Sequence, residues 1–159
     1  MTSYRKLTKY YMEHRPRHGM DKVRSVLRSE WAAGPWNEEC DDFYFTHRRV
    51  HCLGWRNHLG VWCGYVGVWR GHPWFGKDYS DVEMDAPGGL TYSGKLYPKP
   101  GHPWFLGFDC GHSYDYTPGL ATVFEAAGAS CGPPESAYKT MPYVIYCLCE
   151  MAGEVRSAA

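Results

Sequence analysis

A chain of 159 residues with seventeen basic and seventeen acidic side chains has the size of one compact domain, and two full domains are not expected. A hydrophobic fraction of 44% with 21% charged residues excludes a disordered or membrane-like composition, and no apolar run reaches the roughly 18 residues that a transmembrane helix needs. The excess is aromatic: seven Trp, thirteen Tyr and six Phe make up 16% of the chain, more ring surface than one small core uses, so part of it is expected to line a pocket.

Residues 3–31 carry helical periodicity. Tyr4, Leu7 and Tyr11 recur at three and four, then Met20, Val23, Leu27 and Trp31, with Arg15-Pro16-Arg17-His18-Gly19 breaking the run. Residues 1–30 hold eight basic against three acidic side chains, a net of +5, which leaves −5 for the rest. The spacing therefore predicts a basic helical extension over 1–33 and a single α+β domain over 34–159. The acidic body disfavours duplex nucleic acid as a partner, while the extension could meet an acidic partner or a second copy of the chain as a homo-oligomer.

From Asp41 the period falls to two. Phe43 and Phe45 alternate with Tyr44 and Thr46, Val50, Cys52 and Leu53 follow, and Val61–Trp69 is rich in strand formers, with Arg56–Gly60 placed as a hairpin link. Gly64 and Gly67 inside that strand mark a bulge or a close approach to the backbone. Val82–Gly94 and Trp104–Cys110 read as two more strands, and Pro142–Val155 as a helix with an apolar stripe of Val144, Cys147, Leu148, Met151 and Val155. The expected fold is α+β: a mainly antiparallel sheet, a packed C-terminal helix and the N-terminal helical extension. The pentapeptide Gly-His-Pro-Trp-Phe occurs at 71–75 and again at 101–105 with unlike flanks, which points to similar loops and not to a duplicated module.

Seven scattered cysteines, an odd number, in a chain without an apolar leader predict reduced thiols and a cytoplasmic location. No Cys-x-x-Cys pair supports zinc, and neither a P-loop nor a Gly-x-Gly-x-x-Gly fingerprint is present, so no cofactor is expected. The densest polar cluster follows the last strand. Asp109, His112 and Asp115 could together bind a divalent metal and support hydrolysis of a nucleotide, or Asp109 could orient His112 as a general base. Cys110 shares a strand face with Trp104, Leu106 and Phe108, which turns its thiol toward the core and away from nucleophilic work. The turn Asp85–Gly94 exposes backbone donors beside Thr91 and Ser93, and Lys77, Asp78 and Tyr79 follow the first pentapeptide. Trp69, Trp74 and Tyr79 as ring platforms, with Lys77, Asp78, Thr91, Ser93, Asp109 and His112 as polar contacts, make a candidate small-molecule site.

Gly34-Pro35-Trp36, the Cys63–Val68 strand, Gly71–Tyr79 (GHPWFGKDY), Gly88–Gly94 (GGLTYSG) and Trp104–His112 (WFLGFDCGH), followed by a C-terminal helix with Tyr143-Val144, occur in this order. Over Gly34–Val155 the chain resembles an uncharacterised family of small proteins encoded by bacteriophages and their hosts. Ala86-Pro87 stands where that family carries Val-His, so a two-histidine site is not implied here. The resemblance implies a phage accessory protein, and a chain of rings and isolated polar groups without a catalytic fingerprint fits one that sequesters a host immune signal. The expected partner is thus a nucleotide-like small molecule, with no membrane partner. The alternatives are metal-assisted hydrolysis by Asp109, His112 and Asp115, and inhibition of a protein through the N-terminal helices.

Overall fold

The computed structural model describes residues 28–97, 99–129 and 132–159. The predicted N-terminal helices lie outside the described residues, apart from their last positions. Arg28–Glu30 form a single 3-10 turn. There the chain is tied to the domain: Arg28 Nη1 donates to Asp41 Oδ2 at 2.8 Å, and Trp31 is buried.

Five strands form one antiparallel sheet: β1 (Asp42–His47), β2 (Val50–Arg56), β3 (Trp62–Val68), β4 (Tyr92–Gly94) and β5 (Trp104–Asp109), in the order β1-β2-β3-β5-β4. Two helices follow, α1 (Pro118–Ala126) and α2 (Met141–Ala158). The architecture is the expected α+β. No helix among the described residues is long and apolar enough to cross a membrane.

The period-two pattern sets the two faces. Val50, Cys52, Trp62, Val66, Leu106, Phe108 and Cys110 meet Val144, Leu148, Met151 and Val155 of α2, while Leu53, Trp55, Cys63, Tyr65 and Phe105 form the second apolar face. α2 packs through the predicted stripe, although Cys147 is only half-buried. Its first turn is capped by Thr140, whose hydroxyl accepts from Tyr143 N.

Register explains the strand glycines. Phe43, Gly54, Gly64 and Phe108 lie opposite one another in a single row across four strands, and the ladder runs through Gly64 without a bulge. A Cβ on Gly54 would sit 2.3 Å from the Phe43 ring, and one on Gly64 would sit 2.6 Å from Phe108 and 3.2 Å from Leu148. The glycines thus open a trough into which two rings and a helix side chain settle. Of the two readings of Gly64, close approach is the one realised.

Arg56, at the end of β2, is buried with its side chain wholly out of solvent. Its guanidinium donates to Asp41 Oδ1 from Nη2 (2.7 Å) and Nε (3.1 Å), and from Nη1 to Trp36 O (2.7 Å) and the Tyr138 hydroxyl (3.0 Å). The Trp31 and Trp62 rings flank it at 5.4 and 5.5 Å. Glu39 completes the network: Oε2 accepts from Tyr138 (2.6 Å), Trp62 Nε1 (3.0 Å) and Arg56 Nη1 (3.3 Å), while Oε1 accepts from Met141 N (2.6 Å) at the start of α2. Asp41 is thus the nearer counter-charge of the buried cation, and Glu39 joins that cation to a free N–H of a helix terminus.

Two elements differ from the sequence expectation. The predicted strand Val82–Gly94 is a strand only over Tyr92–Gly94. Pro87 has no N–H to donate to a ladder, and Gly88 and Gly89 hold φ of +69° and +85°, left-handed values that end pairing. The helix α1 is additional to the expected elements. Thr117 precedes it and Pro118 opens it, an ordinary start signal. Gly119 is needed there because a Cβ would lie 2.8 Å from the Leu59 backbone.

Candidate functional site

Most of the predicted polar residues are engaged in holding loops. Asp78 Oδ1 accepts from Ser80 N (3.0 Å) and Ser80 Oγ (2.7 Å), bonds that hold its carboxyl below the ordinary value. Tyr79 N donates to Ser93 Oγ (3.0 Å), and the Trp104 indole donates to the carbonyl of Lys77 (3.0 Å). Thr91 Oγ1 donates to Asp109 Oδ2 (3.0 Å), while Asp109 Oδ1 accepts from Gly111 N (2.9 Å). These bonds stitch the 77–93 loop to the sheet edge and shape the turn after β5. Trp74 is half-buried against the helix-side core.

His112 and Asp115 form a pair. Nδ1 of His112 lies 2.9 Å from Asp115 Oδ2, and the imidazole stacks nearly parallel on Tyr114 at 5.0 Å. Its Nε2 edge rests against Gly88, where a Cβ would be only 2.1 Å away, so the ring braces the glycine turn. Asp115 Oδ1 is buried without a hydrogen bond, with Lys139 Nζ 3.8 Å distant. Asp109 is bound to Thr91 and Gly111 and does not join this pair. No group of three His, Cys, Asp or Glu side chains placed to hold a metal exists among the described residues, so Asp109, His112 and Asp115 are not assembled as the set the hydrolase alternative requires.

Cys110 is buried on the helix face, as its strand position predicts, and burial pushes its thiol strongly upward with Asp115 and Asp109 adding to the shift. Burial likewise pushes the Cys52 thiol up from 9.0 to about 12. Because the folded state keeps both protons after the unfolded state has lost them, stability is expected to fall as pH rises above about 9. Two such thiols amount to about 3 kcal/mol between pH 8 and pH 10, read as a lower urea midpoint at pH 10 than at pH 8. An unchanged midpoint would remove both thiols from the core account.

One concave site gathers positive charge. A cavity of about 240 Å³ lies between the β1–β2 hairpin turn, the end of β3 and the C-terminal end of α2, lined by Arg49, Trp69, Arg70, His72 and Arg156 among others. Each arginine sits where an element ends. Trp69 is 44% exposed and meets the His51 ring edge-on at 5.4 Å. His72, in the first pentapeptide, fixes the wall: Nε2 bonds to Val155 O at 2.9 Å, and Nδ1 accepts from Trp74 N at 3.0 Å. Those two bonds assign the neutral tautomer with the proton on Nε2. The second pentapeptide has another task, since it leads into β5 and its Pro103 packs on Gly67.

None of Arg49, Arg70 and Arg156 has an ion pair or hydrogen-bond partner among the described residues. The end of α2 contributes about half a negative charge, and Ala159 beyond it also lines the cavity. The site therefore gathers three fork-shaped donor groups with no partner among the described residues, the chemistry that recognises phosphate. Of the nine predicted contact residues only Trp69 lines this cavity. Arg49, Arg70, His72 and Arg156 are additional. Their sequence signal is weak: each follows or ends an element, but nothing in the sequence joins position 49 to position 156. No known protein family, curated protein or solved structure matches this chain.

Proposed function

We propose that this protein binds a nucleotide-like small molecule and holds it unaltered, with the phosphate on Arg49, Arg70 and Arg156 and the base against Trp69. The observation that carries this reading is the cavity lined by three guanidinium groups, unpaired among the described residues, beside an exposed indole. Charge-assisted bonds from an arginine contribute about 1.5–3 kcal/mol, and ring stacking about 1–3 kcal/mol per base, so a few such contacts suffice for retention. A pocket with fork donors and a ring suits retention of a phosphorylated ligand. The biological role we read from such a site is sequestration of a host immune signal by a phage accessory protein, a role that rests on the expected phage origin.

The test is depletion followed by recovery. The purified protein is dialysed against adenosine, AMP, ATP and cyclic di-adenylate, then denatured, and the released molecule is analysed. Phosphorylated probes are expected to be depleted and recovered intact, with adenosine left in solution. Arg70→Ala is expected to weaken binding about 10- to 100-fold, the loss of one charge-assisted contact. A chemically altered product would replace this reading by catalysis. Failure to deplete any phosphorylated probe would overturn it.

A further inference from the structure

The turn between β1 and β2 has a backbone conformation that its sequence opposes. Register pairs His47 with Val50, which leaves Arg48 and Arg49 as a two-residue connection, and both hold positive φ, 49° and 64°. Such turns favour Asn-Gly because a Cβ is crowded in the left-handed region. Among the described residues these two arginines are the only non-glycine positions with positive φ, whereas glycine occupies all eight others. Among the described residues glycine is thus used wherever this conformation occurs, except here.

The paired β1–β2 ladder holds the turn in this conformation, but no side-chain bond of either arginine does so. Both arginines are exposed, and neither has an ion pair or hydrogen bond among the described residues. Yet both stand at the arginine-lined cavity. Arg49 lines the cavity, and Nη1 of Arg48 lies 3.8 Å from where a Cβ on Gly153 of α2 would be. Non-glycine residues held in the left-handed region cluster at functional positions.

We infer that the Arg48–Arg49 turn is a positioning element of the anion cavity, kept in a strained conformation because it sets charge at the cavity mouth, and that the ligand is phosphate-rich. The inference rests on the anion-binding reading of the same site. A cavity with three guanidinium groups and a fourth nearby matches a ligand with two or more negative charges better than a singly charged one.

Replacing the turn by the residues its geometry favours separates stability from binding. The Arg48→Asn/Arg49→Gly variant is expected to melt about 3–6 °C higher than the wild type, because the strain is relieved. Its affinity for ATP is expected to fall at least about tenfold, and wild-type protein is expected to bind ATP more tightly than AMP by a similar factor. Arg49→Gly alone, which keeps Arg48, is expected to show part of both effects. A variant that melts higher yet binds ATP as the wild type does would overturn the role of the turn and leave the anion site intact. A melting temperature that does not rise would overturn the strain premise. Equal affinity for ATP and AMP would overturn the phosphate-rich ligand. Wild-type protein that binds neither would overturn the anion-binding reading itself, and this outcome is seen without any variant.

Discussion

Arg56→Ala is expected to destabilise the fold by about 3–5 kcal/mol, the cost of breaking a buried ion network from one side. The guanidinium supplies donors to Asp41, Trp36 O, Tyr138 and Glu39 at once, and it fills the space between two tryptophan rings. Without it the Glu39 carboxylate, only 9% exposed, keeps its neutral donors but loses its cation. The Trp36 carbonyl loses a 2.7 Å bond as well. The measurement is urea unfolding followed by circular dichroism, and at this chain length the loss corresponds to a melting temperature lower by about 8–15 °C. A double variant, Arg56→Met with Glu39→Gln, is expected to cost less than the sum of the two single changes, because it removes both charges together. A loss below about 1 kcal/mol for Arg56→Ala would show that solvent-exposed Asp41, and not burial, dominates the network.

Gly64→Val is expected to cost about 3 kcal/mol, the upper range for forcing extra volume into a packed interior. The first added carbon alone meets the Phe108 ring at 2.6 Å and Leu148 at 3.2 Å, before either methyl group is placed. Neither neighbour can yield readily, since Phe108 and Leu148 are both fully buried. Trimming the obstacle tests the cause. Phe108→Leu in the Gly64→Val background is expected to recover part of the loss, whereas the same change alone should destabilise. If the two losses simply add, the ring is not what excludes the side chain.

The sheet and its closing helix could be read from the chain because their determinants are local. Alternation over Phe43–Thr46 and Trp104–Cys110 sorts side chains onto two faces whatever the partner strand, and the Val144–Val155 stripe marks the buried side of α2 by its own period. The Asn57–Gly60 link also carries its own cause: Asn57 Oδ1 accepts from Leu59 N and Val61 N, and Gly60 takes φ of +87°. Val82–Leu90 misled because its apolar residues, Val82, Met84 and Leu90, pack on the core from an irregular loop. Burial imitates a strand pattern there without a partner strand.

The polar sites divide the same way. Asp78, Asp109 and His112 look functional in the sequence because they are charged or titratable residues beside glycines, yet short-range bonds to Ser80, Gly111 and Asp115 employ them as loop braces. The Arg56 network and the arginine cavity were invisible for a common reason. Each joins residues from elements far apart in the chain, Glu39 with Arg56 and Tyr138 in one, Arg49 with Arg70 and Arg156 in the other. Composition and periodicity already dictated an aromatic-rich antiparallel sheet covered by one amphipathic helix, since hydrophobic patterning acts along a single segment. Which polar groups are neutralised and which are left unpaired depended on how strand ends, hairpin turn and helix end meet in space, because electrostatic pairing follows distance across the fold and not order along the chain.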